Sequence, residues 1–149
     1  MVLDNVAEAL SWRRVARAEA IGLATDGHKL SDDSAAELER RLEQAPKDLE
    51  TRIRLLGFYF LRQFESDGYR RRRSDHVLWL IKNEPGSPLL STPFAKLETD
   101  EDAYAQGRAL WAAVASRPDA SREVLQNAAL FLEHKDPDSA KSLWARANR

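Results

Sequence analysis

Apolar side chains recur along this chain with a helical period, and three of the apolar stretches end at a proline. The junctions are Ala45-Pro46, Glu84-Pro85 and Arg117-Pro118, at intervals of 39 and 33 residues. A period of about 34 residues with helices on both sides is typical of arrays of helix pairs, in which no single unit can bury its own apolar face. The pattern therefore predicts helices that bury their apolar faces against one another.

The predicted helices begin near capping residues and end near glycine or proline. The first occupies most of residues 1–30, the second opens at a capping box formed by Ser34 and Glu37, and the third covers residues 48–65 with a broad apolar face. The others are predicted over 76–82, around 89–97, from Thr99 or Asp100 to Pro118, from Asp119 or Ser121, and from Asp136-Pro137 onward. We therefore expect an all-α protein of about seven to eight helices, with irregular repeats over 31–149.

The five consecutive apolar residues 77–81 are the most ambiguous segment. Such a run is compatible with a buried strand or with a helix that is buried on most sides. No second strand-like run is present to pair with it, so a helix is favoured. Pro85, Pro88 and Pro93 then exclude a long helix, because proline removes a backbone donor and collides with the preceding turn.

Composition and net charge exclude several classes of protein and site. The 149 residues fit one domain, and 23 basic against 24 acidic side chains give a formal charge of −1, so the global basic field of a nucleic-acid-binding protein is missing. Without cysteine the chain has neither disulfides nor thiolate metal ligands. The sequence shows no apolar run of membrane-spanning length and no signal peptide, so we expect a cytoplasmic protein without membrane contact.

The C-terminal residues 119–148 resemble one tetratricopeptide unit. Small and aromatic residues fall in that family's register at Ala128, Phe131, Ala140, Trp144 and Ala147. Small residues let two antiparallel helices approach closely, and the aromatic residues fill the space between units. The unit that starts at Pro46 matches at Leu55 and Tyr59, whereas the middle unit is interrupted by prolines. We also expect Trp79, Trp111 and Trp144 to be core residues.

The resemblance implies a right-handed stack of antiparallel helix pairs that has no chemistry of its own and binds a protein or peptide in a concave groove. The positions that match the groove are Glu50, Ile53, Arg54, Gly57, Arg122, Leu125, Gln126 and Ala129. Among the candidate contact residues we single out Arg54, Tyr59, Arg122 and Gln126. Such a short groove predicts about micromolar affinity, unless the chain forms a homo-oligomer.

A run of arginines, Arg70–Arg73, supports an alternative function. Arginines beside an aromatic residue can hold a phosphate backbone, and Arg71 with His76 resembles the Arg-x4-His pattern of an all-helical ribonuclease family. The alternative is thus an RNA-binding or RNA-cleaving domain that uses Arg70–Arg73 and His76. Charge runs usually face solvent, so we favour the interaction module and regard nucleic acid as an improbable partner.

No other group of residues indicates chemistry. His28 and His134 stand alone without further ligands at metal spacing, so we expect no metal and no cofactor. The acidic residues 98–102 fit a helix N-terminus, where backbone N–H groups favour carboxylates. The sequence contains neither a phosphate-binding loop nor a catalytic triad pattern, so we expect no enzymatic activity.

Overall fold

The computed structural model describes residues 17–149, and about 74% of these residues are helical, with no strand among them. The seven α-helices are α1 (17–27), α2 (Asp32–Gln44), α3 (Leu49–Arg62), α4 (Asp67–Asn83), α5 (Glu101–Ala115), α6 (Arg122–Leu132) and α7 (Pro137–Ala147). Two short 3-10 helices, Pro88–Ser91 and Pro93–Ala95, lie between α4 and α5. The all-α prediction is confirmed; the predicted helical residues before 17 lie outside the described residues.

Side-chain caps explain where the helices begin. Each of α2 to α7 follows a residue whose side-chain oxygen accepts a hydrogen bond from a backbone N–H three residues later; these residues are Ser31, Asp48, Ser66, Asp100, Ser121 and Asp136. The predicted capping box at Ser34 is wrong, because Ser34 lies inside α2 and donates its N–H to Ser31 at 3.1 Å. Asp32 and Asp33 fill the first turn, where carboxylates are favoured.

Helix α4 is longer than the sequence suggests. It begins at Asp67 and runs to Asn83, so the arginine run forms its first half and the apolar run 77–81 its second half. The helical prediction for 77–81 is confirmed. Beyond Glu84, Pro93 divides the predicted short helix into the two 3-10 helices, because its ring cannot continue the preceding turn.

Successive helices pack against one another from α2 to α7, as expected for a stack of helices. The larger apolar core joins α1, α3, α4 and the 3-10 segment to α5, α6 and α7, and a smaller one lies between α2 and α3. Trp111 is 1% exposed and is a core residue as predicted. Trp79 and Trp144 are only partly buried, because each packs at the margin of the larger core.

Small residues line the contact between the two C-terminal helices, α6 and α7. Ala128, Ala140 and Ala147 are buried between α6 and α7, and the Phe131 ring stacks on Tyr104 of α5 with centroids 4.9 Å apart. Four of the five positions that suggested the tetratricopeptide resemblance are thus buried, with Trp144 half-buried. Membership of that family remains a prediction.

Candidate functional site

The four residues predicted to contact a partner lie on two helices, α3 and α6. Arg54 is half-exposed on α3, 3.9 Å from Glu50. Tyr59 is only 4% exposed, and its ring packs against neighbouring aromatic rings. It is therefore a core group, and its assignment as a partner contact is corrected. Tyr59 matched the aromatic position of the repeat, and in the structure its ring packs against Tyr69 and His76 of α4.

The other two predicted residues lie on α6. Arg122 is exposed, yet its Nε donates to the carbonyl of Ala147 at 3.0 Å and so satisfies the last turn of α7. Gln126 is half-buried. In the described part of the chain, no hydrogen bond or ion pair joins these α6 residues to Arg54.

Helix α1 covers the face of α3 that the family resemblance assigned to the groove. A methyl group placed on Gly57 would lie 1.9 Å from the backbone oxygen of Ala24, and one on Gly27 would lie 2.0 Å from that of Arg54. The two helices therefore touch through their backbones, which only glycine permits. At this position a partner segment would compete with α1.

The arginine run does not present a shared basic surface. Arg73 is 2% exposed and donates to the carbonyl oxygens of Phe94 and Lys96, so it fastens the 3-10 segment to α4. Arg70 pairs with Asp67 at 3.0 Å within the same helix. Arg71 is exposed, and Nη1 of Arg72 lies 3.8 Å from Oε2 of Glu39 on α2.

His76, the other half of the predicted ribonuclease pair, is buried in a polar cluster. Its Nδ1 lies 3.1 Å from Nη1 of Arg52, and its Nε2 lies 2.9 Å from Oε1 of Glu39. Arginine can only donate, so Nδ1 is the acceptor and Nε2–H donates to the carboxylate. The imidazole thus links α3 to α2, and Arg71 does not share its environment.

Burial and charge shift the pKa values in this cluster. Burial lowers the pKa of the Arg52 guanidinium to about 10, and that group lies 3.7 Å from the centroid of the Trp79 ring. Burial, together with the charge of Glu39, raises the pKa of Tyr59. Burial is the largest single effect on Glu39 and opposes its charged form, but the hydrogen bond and charge of His76, together with Tyr59 and Arg72, outweigh it and lower the pKa of Glu39. The cluster joins α2, α3 and α4 through buried polar contacts.

A concave surface with an apolar floor lies between α5 and α7. It has a volume of about 360 Å³ and is called the α5–α7 groove below. Helix α5 contributes a stripe at helical spacing, helix α7 a second one, and the end of α6 closes the floor. The lining residues are Arg108, Trp111, Ala112, Ala115, Ser116, Leu132, Asp136, Ser139, Ser142, Leu143 and Arg146.

Charged and polar groups surround the groove. Short loops make α6 antiparallel to both neighbours, so α5 and α7 run in the same direction. An ion pair of 2.7 Å between Arg108 and Asp136 marks one end, and Ser116 and Arg146 mark the other. The hydrogen bond from Ser139 lowers the pKa of Asp136 and keeps it ionised. Arg146 has no carboxylate partner within residues 17–149.

Trp111 lies on the floor of the groove. Its indole N–H has no hydrogen-bond acceptor in the described part of the chain, which is uncommon for a buried donor. Ala112 beside it is exposed, which leaves the middle of the groove shallow and accessible. The arrangement can accommodate an apolar side chain between two polar ends.

Sequence reasoning missed this groove although its signal is present. The lining residues of α7 are spaced i, i+3, i+4 and i+7 from Ser139, and those of α5 follow the same spacing from Arg108. Small residues at Ala112 and Ser142 leave room on the surface where longer side chains would fill it. Arg52 and Glu39 had no comparable signal, because a charged residue on a helix normally faces solvent.

Comparison with known proteins returns no match: no family model, curated protein or solved structure matches this chain. Within the described residues, no group of three or more histidine, cysteine or acidic side chains is arranged to hold a metal ion. None of the described helices combines the length and the apolar character needed to span a bilayer.

Proposed function

We propose that this chain is a non-catalytic interaction module, built as a tetratricopeptide-like stack, that binds a segment of a protein in the α5–α7 groove. The observation that carries the proposal is the groove itself: an apolar floor of Trp111, Leu132 and Leu143 between two charged or polar ends. Ligand sites commonly combine such a floor with a few fixed polar groups. Here α5 and α7 are held in place by the buried core of α6.

The bound segment is expected to carry a large apolar side chain next to a carboxylate. The apolar side chain would cover Leu143 and Ala112, and the carboxylate would approach Arg146, which lacks a partner among the described residues. A contact this small predicts affinity on the order of micromolar.

This location replaces the predicted groove around Arg54, because α1 lies across that face of α3. It also replaces the RNA alternative, since Arg73 and His76 are buried and engaged with neighbouring groups. A phosphate backbone would meet only the exposed members of the run.

A peptide-display selection tests the proposal. The wild-type chain is used as bait, and binders are then tested on Ala112→Trp, which fills the groove from an exposed position. The matched control is Ala113→Trp, because Ala113 is the next exposed residue on α5 and does not line the groove.

We expect selected peptides to contain a large apolar residue near an acidic one. Their affinity should fall about five- to thirtyfold on Ala112→Trp, since a lost contact of this kind is worth about 1–2 kcal/mol, and remain nearly unchanged on Ala113→Trp. Peptides that bind Ala112→Trp as tightly as wild type would contradict the proposal, as would a selection without binders.

A further inference from the structure

The end of α3 carries an apolar surface that the fold does not use. Leu61 is 54% exposed and Phe64 is 78% exposed, and they are the exposed large apolar side chains of the described surface. Leu61 lies in the last turn of α3, and Phe64 lies in the turn that directly follows the helix. Most buried or half-buried aromatic rings of α3 and α4 have aromatic neighbours, so the exposure of Phe64 requires a separate explanation.

The chemistry around Phe64 complements the α5–α7 groove. Glu65 follows it directly and is exposed, so this segment presents a large apolar side chain next to a carboxylate. The groove presents an apolar floor next to Arg146. The same pairing of apolar side chain and carboxylate was deduced above from the groove alone.

Within one molecule the two surfaces do not meet. Helix α3 packs against α2, α4 and the second 3-10 helix, whereas α7 packs against α6. Helices α4, α5 and α6 therefore lie between α3 and α7 in the order of packing. Only a second copy of the chain can bring Phe64 to the groove.

We infer that the segment bound by the α5–α7 groove is residues 61–65 of a second copy of this chain, with Phe64 as the anchor. The inference rests on the proposed function, because it names the occupant of that groove. The two contact surfaces differ, so the association is head-to-tail and each copy retains one free end. Weak, open-ended self-association is the consequence.

Sedimentation velocity of the full chain tests the inference. Two variants each remove one surface: Phe64→Ser removes the anchor, and Ala112→Trp fills the groove. Ala113→Trp is the control for added aromatic surface on α5. Circular dichroism melts establish that all variants are folded, which the exposure of the three positions favours.

The weight-average sedimentation coefficient of wild type and of Ala113→Trp should rise with concentration up to about 0.5 mM, where a contact of this size is populated. Phe64→Ser and Ala112→Trp should each remain monomeric. Mixed in equal amounts, they should form a dimer and nothing larger, because the mixture contains one intact anchor and one intact groove per pair.

Three results would overturn the inference: a monomeric wild type, self-association that survives either variant, or a mixture that does not form the dimer. If the wild type is monomeric and display-selected peptides still bind the groove, the second copy is excluded and the proposed function remains. If both peptide binding and self-association are unchanged in Ala112→Trp, both proposals fail.

Discussion

The two halves of this helical stack are held together by different interactions. Between α2, α3 and α4, buried charged and polar side chains form contacts in addition to the apolar core, and the guanidinium of Arg52 is stacked over a Trp ring. Between α5, α6 and α7, alanines and large apolar rings make them, with Trp111 and Phe131 at the centre. One architecture thus combines an N-terminal half that has a buried polar cluster beside its apolar core, called the polar half below, and a C-terminal half packed by alanines and apolar rings.

The difference shows where specificity and room for a ligand arise. Hydrogen-bonded side chains fix the N-terminal helices in one arrangement, because each buried donor or acceptor costs free energy when its partner moves. Alanine packing in the C-terminal half brings helix backbones close and leaves shallow spaces at their margins, of which the α5–α7 groove is one. The polar half is expected to be specific in structure, and the apolar half to provide the binding surface.

The largest expected effect is a loss of stability on mutation of the apolar half. Trp111→Ala removes a fully buried ring and should lower the free energy of unfolding by about 3–5 kcal/mol. Trp79→Ala, at a partly buried ring under Arg52, should cost about 1–2 kcal/mol, near the value of its cation–π contact and partial burial. Urea unfolding of both variants measures the difference, and equal losses would contradict the contrast between the halves.

A smaller effect is expected from the polar half. His76→Ala leaves Nη1 of Arg52 and Oε1 of Glu39 without their partner and should cost about 1–3 kcal/mol. Arg71→Ala on the same helix is the control, because Arg71 is exposed and its loss should change stability by less than about 0.5 kcal/mol. Thermal unfolding compares them; a neutral His76→Ala would show that the cluster does not hold the helices.

The smallest effect is a pH dependence. The pKa of Glu39 is lower in the folded chain than its ordinary value of 4.5, so its ionised form adds stability at neutral pH. That contribution is present above pH 4.5 and is lost as the pH falls through the lowered pKa of the folded state. The stability of wild type should therefore exceed that of Glu39→Gln at pH 6, and the gap should narrow toward pH 3. A gap that is constant with pH would contradict the assignment.

Local rules recovered much of the fold. Asp48, Asp100 and Asp136 cap helices at their predicted places, because a capping side chain acts on the backbone within three residues. The predicted cap at Ser34 was wrong because Ser31 meets the same local requirement and is followed by two aspartates. Both Ser31 and Ser34 satisfy the local requirements of a capping residue, and the helix begins after Ser31, which makes it the longer of the two possible helices.

The candidate site was harder to predict, because it depends on contacts between distant segments. The burial of Arg73 follows from carbonyl groups more than twenty residues away, and the covering of Gly57 follows from the approach of α1. Tyr59 matched a repeat position and proved to be a core residue. Periodicity identifies which side of a helix is apolar, but it does not show which helix covers that side.

The most direct test of the central claim is an amide NMR titration of the full chain with a display-selected peptide. The account predicts that the largest chemical-shift changes lie on α5 and α7 around Ala112, Ser116 and Ser142, and that they disappear in Ala112→Trp. Changes centred instead on Arg54 and Gln126 would place the partner on the groove predicted from the repeat pattern, and would contradict the assignment of function to the α5–α7 groove.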